Sequence, residues 1–197
     1  IILGDLFDHN NTKKLKIADW QLLSHISGII KKNIPVLWIK GNHDRTFPHS
    51  LPELEGIQIL EEYTWTDNHK KYIAIHGDQF DKNIREKRPN NMLAHAFSLT
   101  LSFFGLKNKL VMSTVGSLYA WLIGLSDSVA LEAFEYGIKH DADYIMCGHT
   151  HIPVIKTHMH NQKELKYLNT GSWTQFDPTY ITIDKDGPRL HSFRVKK

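Results

Sequence analysis

Only one cysteine, Cys147, stands among the 197 residues. It excludes a disulfide framework within one chain and makes a reducing compartment the default setting. No long block of Lys or Arg occurs, and the net charge is only +3. So mild a balance argues weakly for nucleic acid or an anionic lipid as partner. Internal repeats and low-complexity stretches are missing too, which leaves one ordinary globular domain over 1–197. The apolar run 110–125 carries no charge but includes Gly116 and Gly124. It is shorter than the roughly 20 residues that cross a bilayer, so no spanning helix is expected. The chain also lacks an initiator Met and a signal-peptide pattern, opening directly on Ile1-Ile2-Leu3-Gly4-Asp5. An apolar strand that begins at the first residue is expected to be the remainder of a chain with its natural beginning cut away.

What the chain does have is a recurring sentence of strand, glycine and polar residues. Apolar stretches at 1–3, 35–40, 57–60, 72–76 and 144–147 read as strands, and three short ones follow at 165–168, 180–184 and 190–195. Leu15, Leu22, Leu23, Ile26, Ile29 and Ile30 recur at helical spacing and predict a helix over 12–32. Four of the strands run into Gly4-Asp5, Gly41-Asn42-His43-Asp44, His76-Gly77-Asp78 and Gly148-His149-Thr150-His151. In layered α/β proteins ligands collect outside the carboxyl ends of strands, where such loops converge. These four ends are therefore expected to meet.

Their chemistry is that of a metal site. Two divalent cations about 3.5–4 Å apart, clamping a phosphate and a water, need a bridging carboxylate, neutral imidazoles and a side-chain carbonyl. Asp5, Asn42, His76, His149 and His151 supply those atoms. Neighbouring glycines let short side chains reach one centre.

In this order and at these strand ends, the four blocks resemble four of the five motifs of the calcineurin-like metallophosphoesterases. Asn169-Thr170-Gly171-Ser172-Trp173 is similar to a segment common after the last of them. The resemblance implies an α/β fold, a layered sandwich of two mixed sheets flanked by helices. It implies that Asp5 bridges two metals, that Asn42, His76 and His149 complete one site, and that His151 belongs to the other. His43 would contact the scissile phosphate or protonate the leaving oxygen, and Asp44 would orient His43. Asp8, Asp78 and Asp81 could accept hydrogen bonds from the histidines. The family's first motif, Asp-x-His, has no counterpart before Asp5. On this chain one metal site is fully furnished and the other has Asp5 and His151. Manganese is the first choice of metal, with Fe, Zn or Co also fitting the mixed N and O donors. The remaining histidines, His9 with less assurance than the others, read as surface or packing residues. Cys147 reads as a small buried hydrophobe. Arg45, Arg85 and Arg88 could hold a phosphate, though solvated charge is the simpler reading of each.

Residues 82–140 form an expected helical insertion, with apolar helices at 91–104 and 110–125 and an amphipathic one capped by Ser126 or Asp127 and running to about 140. It could be a cap, a dimer interface or a surface for acyl chains. In layout it resembles the UDP-2,3-diacylglucosamine pyrophosphatase branch of the superfamily, whose members act in lipid A synthesis, although that branch often has Arg where His43 stands. The resemblance implies a cytoplasmic hydrolase of a phosphoester or pyrophosphate, peripheral to the inner membrane if the insertion is exposed, acting on a phosphorylated small molecule or nucleotide-linked lipid. A phosphodiesterase or phosphatase of other substrate, and a scaffold that keeps the fold without chemistry, are the alternatives. A nuclease fits least, because no basic-aromatic face is evident.

Overall fold

The computed structural model describes residues 1–7, 11–45, 54–82, 109–173 and 177–193, with side chains inside the long helix described from Ile123 onward. Helix α1 (Ile17–Ile30) starts later than the 12–32 reading. Asn11 accepts a bond from the Lys13 N–H at 3.0 Å and closes a separate 3₁₀ turn over Thr12–Lys14. Leu15 then turns extended, and Asp19 accepts from the Lys16 N–H at 2.7 Å to open the helix proper. After the helix, Asn33 adopts a left-handed φ of 61°, a conformation Asn tolerates better than most residues.

Strands β1 (Leu37–Ile39) and β2 (Gln58–Leu60) pair in parallel, and Ile2 bridges β1 on its other side. Beneath them α1 buries Leu23 against Trp38, Phe7 and Leu54. The main sheet has five strands in the order β3-β4-β5-β7-β6: β3 (Glu62–Asp67), β4 (Lys70–Ile75), β5 (Tyr144–Cys147), β6 (Val154–His160) and β7 (Lys163–Asn169). β4, β5 and β7 run parallel, while β3 and β6 close the edges antiparallel. A hairpin of β8 (Thr179–Asp184) and β9 (Gly187–Ser192) completes the described strands. The α/β class expected from the sequence is what the structure has, with one mixed sheet and two small two-stranded ones.

Side-chain alternation assigns the two faces of the main sheet. Ile73, Ile75, Ile145, Cys147, Leu165 and Tyr167 point to one face, where α2 (Lys109–Lys139) supplies Val129, Ala130, Ala133 and Phe134. Small residues bring helix and sheet close together: a methyl added at Gly137 would sit 2.8 Å from the Leu165 side chain. Cutting the fully buried Ile145 to Ala would cost about 2–5 kcal/mol. Tyr72, Met146 and Leu168 face the other way, toward Leu3, Ile181 and Ile183.

The helix itself corrects the sequence reading. The two expected segments, 110–125 and 126 to about 140, are one helix, Lys109–Lys139, and Ser126 lies inside it with its hydroxyl buried and no hydrogen-bond partner among the described residues. Continuous burial of Val129, Ala130, Ala133 and Phe134 on the sheet outweighs the local preference of Ser for a cap. The expected helix at 91–104 lies outside the described residues. Among the described residues, no helix is long and apolar enough to cross a membrane.

Candidate metal centre

Four chain segments end at one edge. The first runs into Gly4-Asp5, β1 into Gly41-Asn42, β4 into His76 and β5 into Gly148-His149. Their loops are stitched together by backbone bonds: Ile39 N–H donates to the Ile2 carbonyl at 2.8 Å, and Gly148 N–H to that of His76 at 3.0 Å. Glycine is required where they cross. A methyl at Gly4, whose φ is +81°, would run into the His76 ring and the Gly41 backbone, and one at Gly41 would strike the Asp5 carboxylate.

Asp5, His76 and His149 each present a ligand atom, all within 4.8 Å of one another. Asn42 Oδ1 joins them, 3.3 Å from His76 Nε2 and 3.1 Å from His149 Nδ1. The outer bonds of the two rings determine what the inner nitrogens carry. His76 Nδ1 lies 2.6 Å from the Leu3 carbonyl oxygen, which can only accept, so Nδ1 bears the hydrogen. His149 Nε2 likewise donates to Asp81 Oδ2 at 3.0 Å. In the neutral rings, His76 Nε2 and His149 Nδ1 are therefore lone pairs turned toward a carbonyl oxygen and a carboxylate. Four electron-rich atoms around one point fit a cation, which is the test the donor set had to pass.

The electrostatics agree. Burial disfavours a charged His76, but the Asp5 carboxylate 3.2 Å from Nε2 and the Leu3 carbonyl outweigh it and raise the imidazole above its usual pKa. Burial works to raise Asp5 as well, yet the bonds from His76 and the His43 N–H hold it below the usual carboxylate value. A divalent cation held by these atoms would take over the balancing of the Asp5 charge.

Left-handed backbone occurs here as well as in turns elsewhere in the chain. Asp5, His149 and His151 have φ of 51°, 60° and 62°. Left-handed backbone at non-glycine residues costs of order 1–3 kcal/mol each and collects at functional sites.

The other sequence-derived residues fall into place around this cluster. His43 is exposed, and its backbone N–H donates to Asp5 Oδ1 at 2.8 Å. The Asp44 carboxylate accepts from Gly41 N–H (2.7 Å), Leu6 N–H (2.8 Å) and Trp38 Nε1 (3.1 Å). It braces the turn that bears His43. His151 follows on the β5 loop, partly buried and outside the three-residue cluster. Asp81 meets a histidine, as the resemblance allowed. Asp78 instead pairs with Arg45 at 2.6 Å. Asp8, His9, Arg85 and Arg88 lie outside the described residues. His25 and His140 contact backbone carbonyls one helical turn back, as packing histidines do.

Two supports were not legible as functional. Asn169 is fully buried and donates to the Gly148 carbonyl, to Thr150 Oγ1 (3.1 Å) and to Tyr167 Oη (3.0 Å), thereby holding the loop that carries His149. Leu3 acts through its backbone oxygen, for which no side-chain pattern exists.

Comparison with known proteins points to one family. Residues 1–153 match the family model described as Calcineurin-like phosphoesterase. A Vibrio cholerae protein described as UDP-2,3-diacylglucosamine hydrolase is 25% identical over 186 residues, 87% of this chain and 76% of that protein. A Yersinia pseudotuberculosis protein of the same description is 21% identical over 210 residues, 98% of this chain and 84% of that protein. A Streptococcus pneumoniae structure, described as a predicted phosphoesterase, overlays with a TM-score of 0.41 at 13% identity, over 98% of this chain and 95% of that one. At so loose an overlay, the relationship rests on sequence.

Proposed function

Because this chain belongs to the calcineurin-like phosphoesterase family and is thus a phosphoesterase hydrolase, we propose that Asp5, Asn42, His76 and His149 hold a divalent cation and that water is the attacking group. The observation that carries this reading is the convergence of His76 Nε2, His149 Nδ1, Asn42 Oδ1 and the Asp5 carboxylate, with both ring tautomers fixed from outside. Bound cations would supply a hydroxide nucleophile at neutral pH and neutralise phosphoryl charge.

The chain's own groups do the rest. Leu3 and Asp81 lock the two imidazoles, so little reorganisation is needed on binding. Asp44 and the His43 N–H fix the Asn42 turn against Asp5. The exposed His43 imidazole, on the same turn as Asn42, is the proposed proton donor to the leaving oxygen. His151, on the same loop as His149, is offered to a second cation together with Asp5. Manganese is the proposed metal. The cytoplasm is the proposed setting, supported by a lone buried cysteine.

For the substrate we favour a UDP-diacylsugar pyrophosphate, with the insertion receiving the acyl chains. The support is the shared description of the Vibrio and Yersinia relatives. Turnover of UDP-2,3-diacylglucosamine and of its deacylated form by the Mn²⁺-loaded protein tests the reading. Faster hydrolysis of the acylated compound is expected. Equal rates on both would remove the acyl-binding role, and no hydrolysis of either, nor of bis(p-nitrophenyl) phosphate, would remove the activity.

A further inference from the structure

The main sheet ends on β6, and no described strand pairs with its outer side. Such an edge presents a row of backbone N–H and C=O groups to any strand that can approach. Proteins commonly blunt it with proline, a bulge or charge. β6 has no proline, and its register against β7 is regular from Val154 to His160. Its one lysine, Lys156, is drawn aside by Asp127 of α2.

The side chains of β6 fall into two rows. Lys156 and His158 lie on the α2 side, where the His158 ring stands 5.2 Å from that of Phe134. Leu131 lies between Asp127 and Phe134 on the same helical stripe and is 64% exposed. Ile155, Thr157 and Met159 form the other row, and all three are exposed.

The order of these residues makes the strand complementary to itself. Successive side chains alternate, so an antiparallel copy must keep each row on its own face. A twofold axis at Thr157, the midpoint of Val154–His160, does so and matches the strand end to end. Ile155 then faces Met159, Lys156 faces His158, and Thr157 faces its own counterpart. Apolar pairs on either side of a Thr–Thr pair are favourable cross-strand neighbours. An axis at Lys156 would set lysine against lysine. One at His158 would set Met159 against Thr157 and leave Ile155 facing the turn.

We infer that β6 is a docking edge for a second copy of this chain, paired antiparallel about a twofold axis at Thr157. The two five-stranded sheets then run on as one, with both α2 helices on the same face. A single strand pair is a small interface, so the association is a concentration-dependent equilibrium.

Disulfide trapping and sedimentation equilibrium of the full chain test it. Directly opposed residues of antiparallel strands have Cα atoms about 4.5–5.5 Å apart, within the span of a disulfide. Thr157→Cys should therefore give a covalent dimer on mild oxidation with diamide, read on a non-reducing gel. The native Cys147 is fully buried and should give none, and Lys185→Cys, exposed in the β8–β9 turn, measures random collision. In sedimentation, Ile155→Lys should weaken the dimer roughly tenfold or more, because its charge enters the seam opposite Met159. Adding Met159→Glu to the same chain should restore association, since opposite charges then face each other across the axis. Both positions are exposed, so circular dichroism should be unchanged. An unaltered chain that stays monomeric up to about 1 mM would overturn the proposal. So would trapping of Thr157→Cys no faster than Lys185→Cys, or a dimer Kd for Ile155→Lys within twofold of the unaltered protein. A double variant no stronger than Ile155→Lys alone would overturn the axis at Thr157.

Discussion

His76 Nδ1 donates to the Leu3 carbonyl oxygen across 2.6 Å, and this bond decides which nitrogen of the ring faces Asp5. The donor sits at the end of β4 and the acceptor in the first described segment, 73 positions apart in sequence. The tautomer of a metal-seeking histidine is thus set by packing between the two sheets. Asp81 plays the corresponding part for His149, and there a side chain is available to be changed.

Replacing Asp81 by Ala should weaken Mn²⁺ binding by roughly 10–100-fold, the usual consequence of removing a partner that orients a ligand. The fold should survive, because the change lies in the loop after β4 and leaves the strands intact. Calorimetric Mn²⁺ titration with circular dichroism measures both. Unchanged affinity would mean that Asp81 does not orient the ring.

Gly41→Ala should abolish tight metal binding, since the added methyl strikes the Asp5 carboxylate. Gly28→Ala is the contrasting case. A methyl there meets nothing within 4 Å inside α1, so stability should rise by about 0.4–1 kcal/mol with the metal site untouched. Denaturant unfolding and metal titration of the two variants separate a site effect from a helix effect.

At the opposite end of the sheet, Asp143 accepts the Lys71 N–H at 2.9 Å and the Lys70 ammonium at 3.0 Å. Burial alone would raise its carboxyl, but these two bonds, with Lys163 nearby, hold it below the ordinary value. A depressed folded pKa means that the unfolded chain takes up the proton first as pH falls. The stabilisation is therefore complete above about pH 4 and disappears as pH drops through the folded value. Lys70 is half-exposed and adds little, so Asp143→Asn, which keeps an acceptor oxygen but loses the charge that strengthens the Lys71 N–H bond, should cost about 1 kcal/mol at pH 7. The gap between variant and parent should close below pH 4. Urea unfolding across pH 3–7 gives the curve, and a gap that widens toward acid would contradict it.

The metal-seeking residues were readable because each lies at the end of an apolar strand close to a glycine, a local signal that needs no knowledge of the partner strand. What the sequence hid is instructive. Strands β3 and β6 went unread because each joins its neighbour through a two-residue turn without glycine. Asn68-His69 and Asn161-Gln162 all take positive φ, whereas the usual signal for such a hairpin is Asn-Gly. The split of α2 at Ser126 followed local capping preference, and burial against β5 and β7 overrode it. Asn169 and Asp81 matter through distant partners, and no spacing along the chain encodes those contacts. The Asp44 oxygens accept from Trp38, Leu6 and Gly41, groups that pattern reading does not pair with it.

On the proposal above, Asp5, Asn42, His76 and His149 would share one cation, His76 binding through Nε2 and His149 through Nδ1. Anomalous diffraction from crystals soaked in Mn²⁺ tests it most directly. The account predicts a peak enclosed by those four atoms, lost in His149→Ala. No peak at that position, or a metal held by His149 through Nε2 on the Asp81 side, would contradict it.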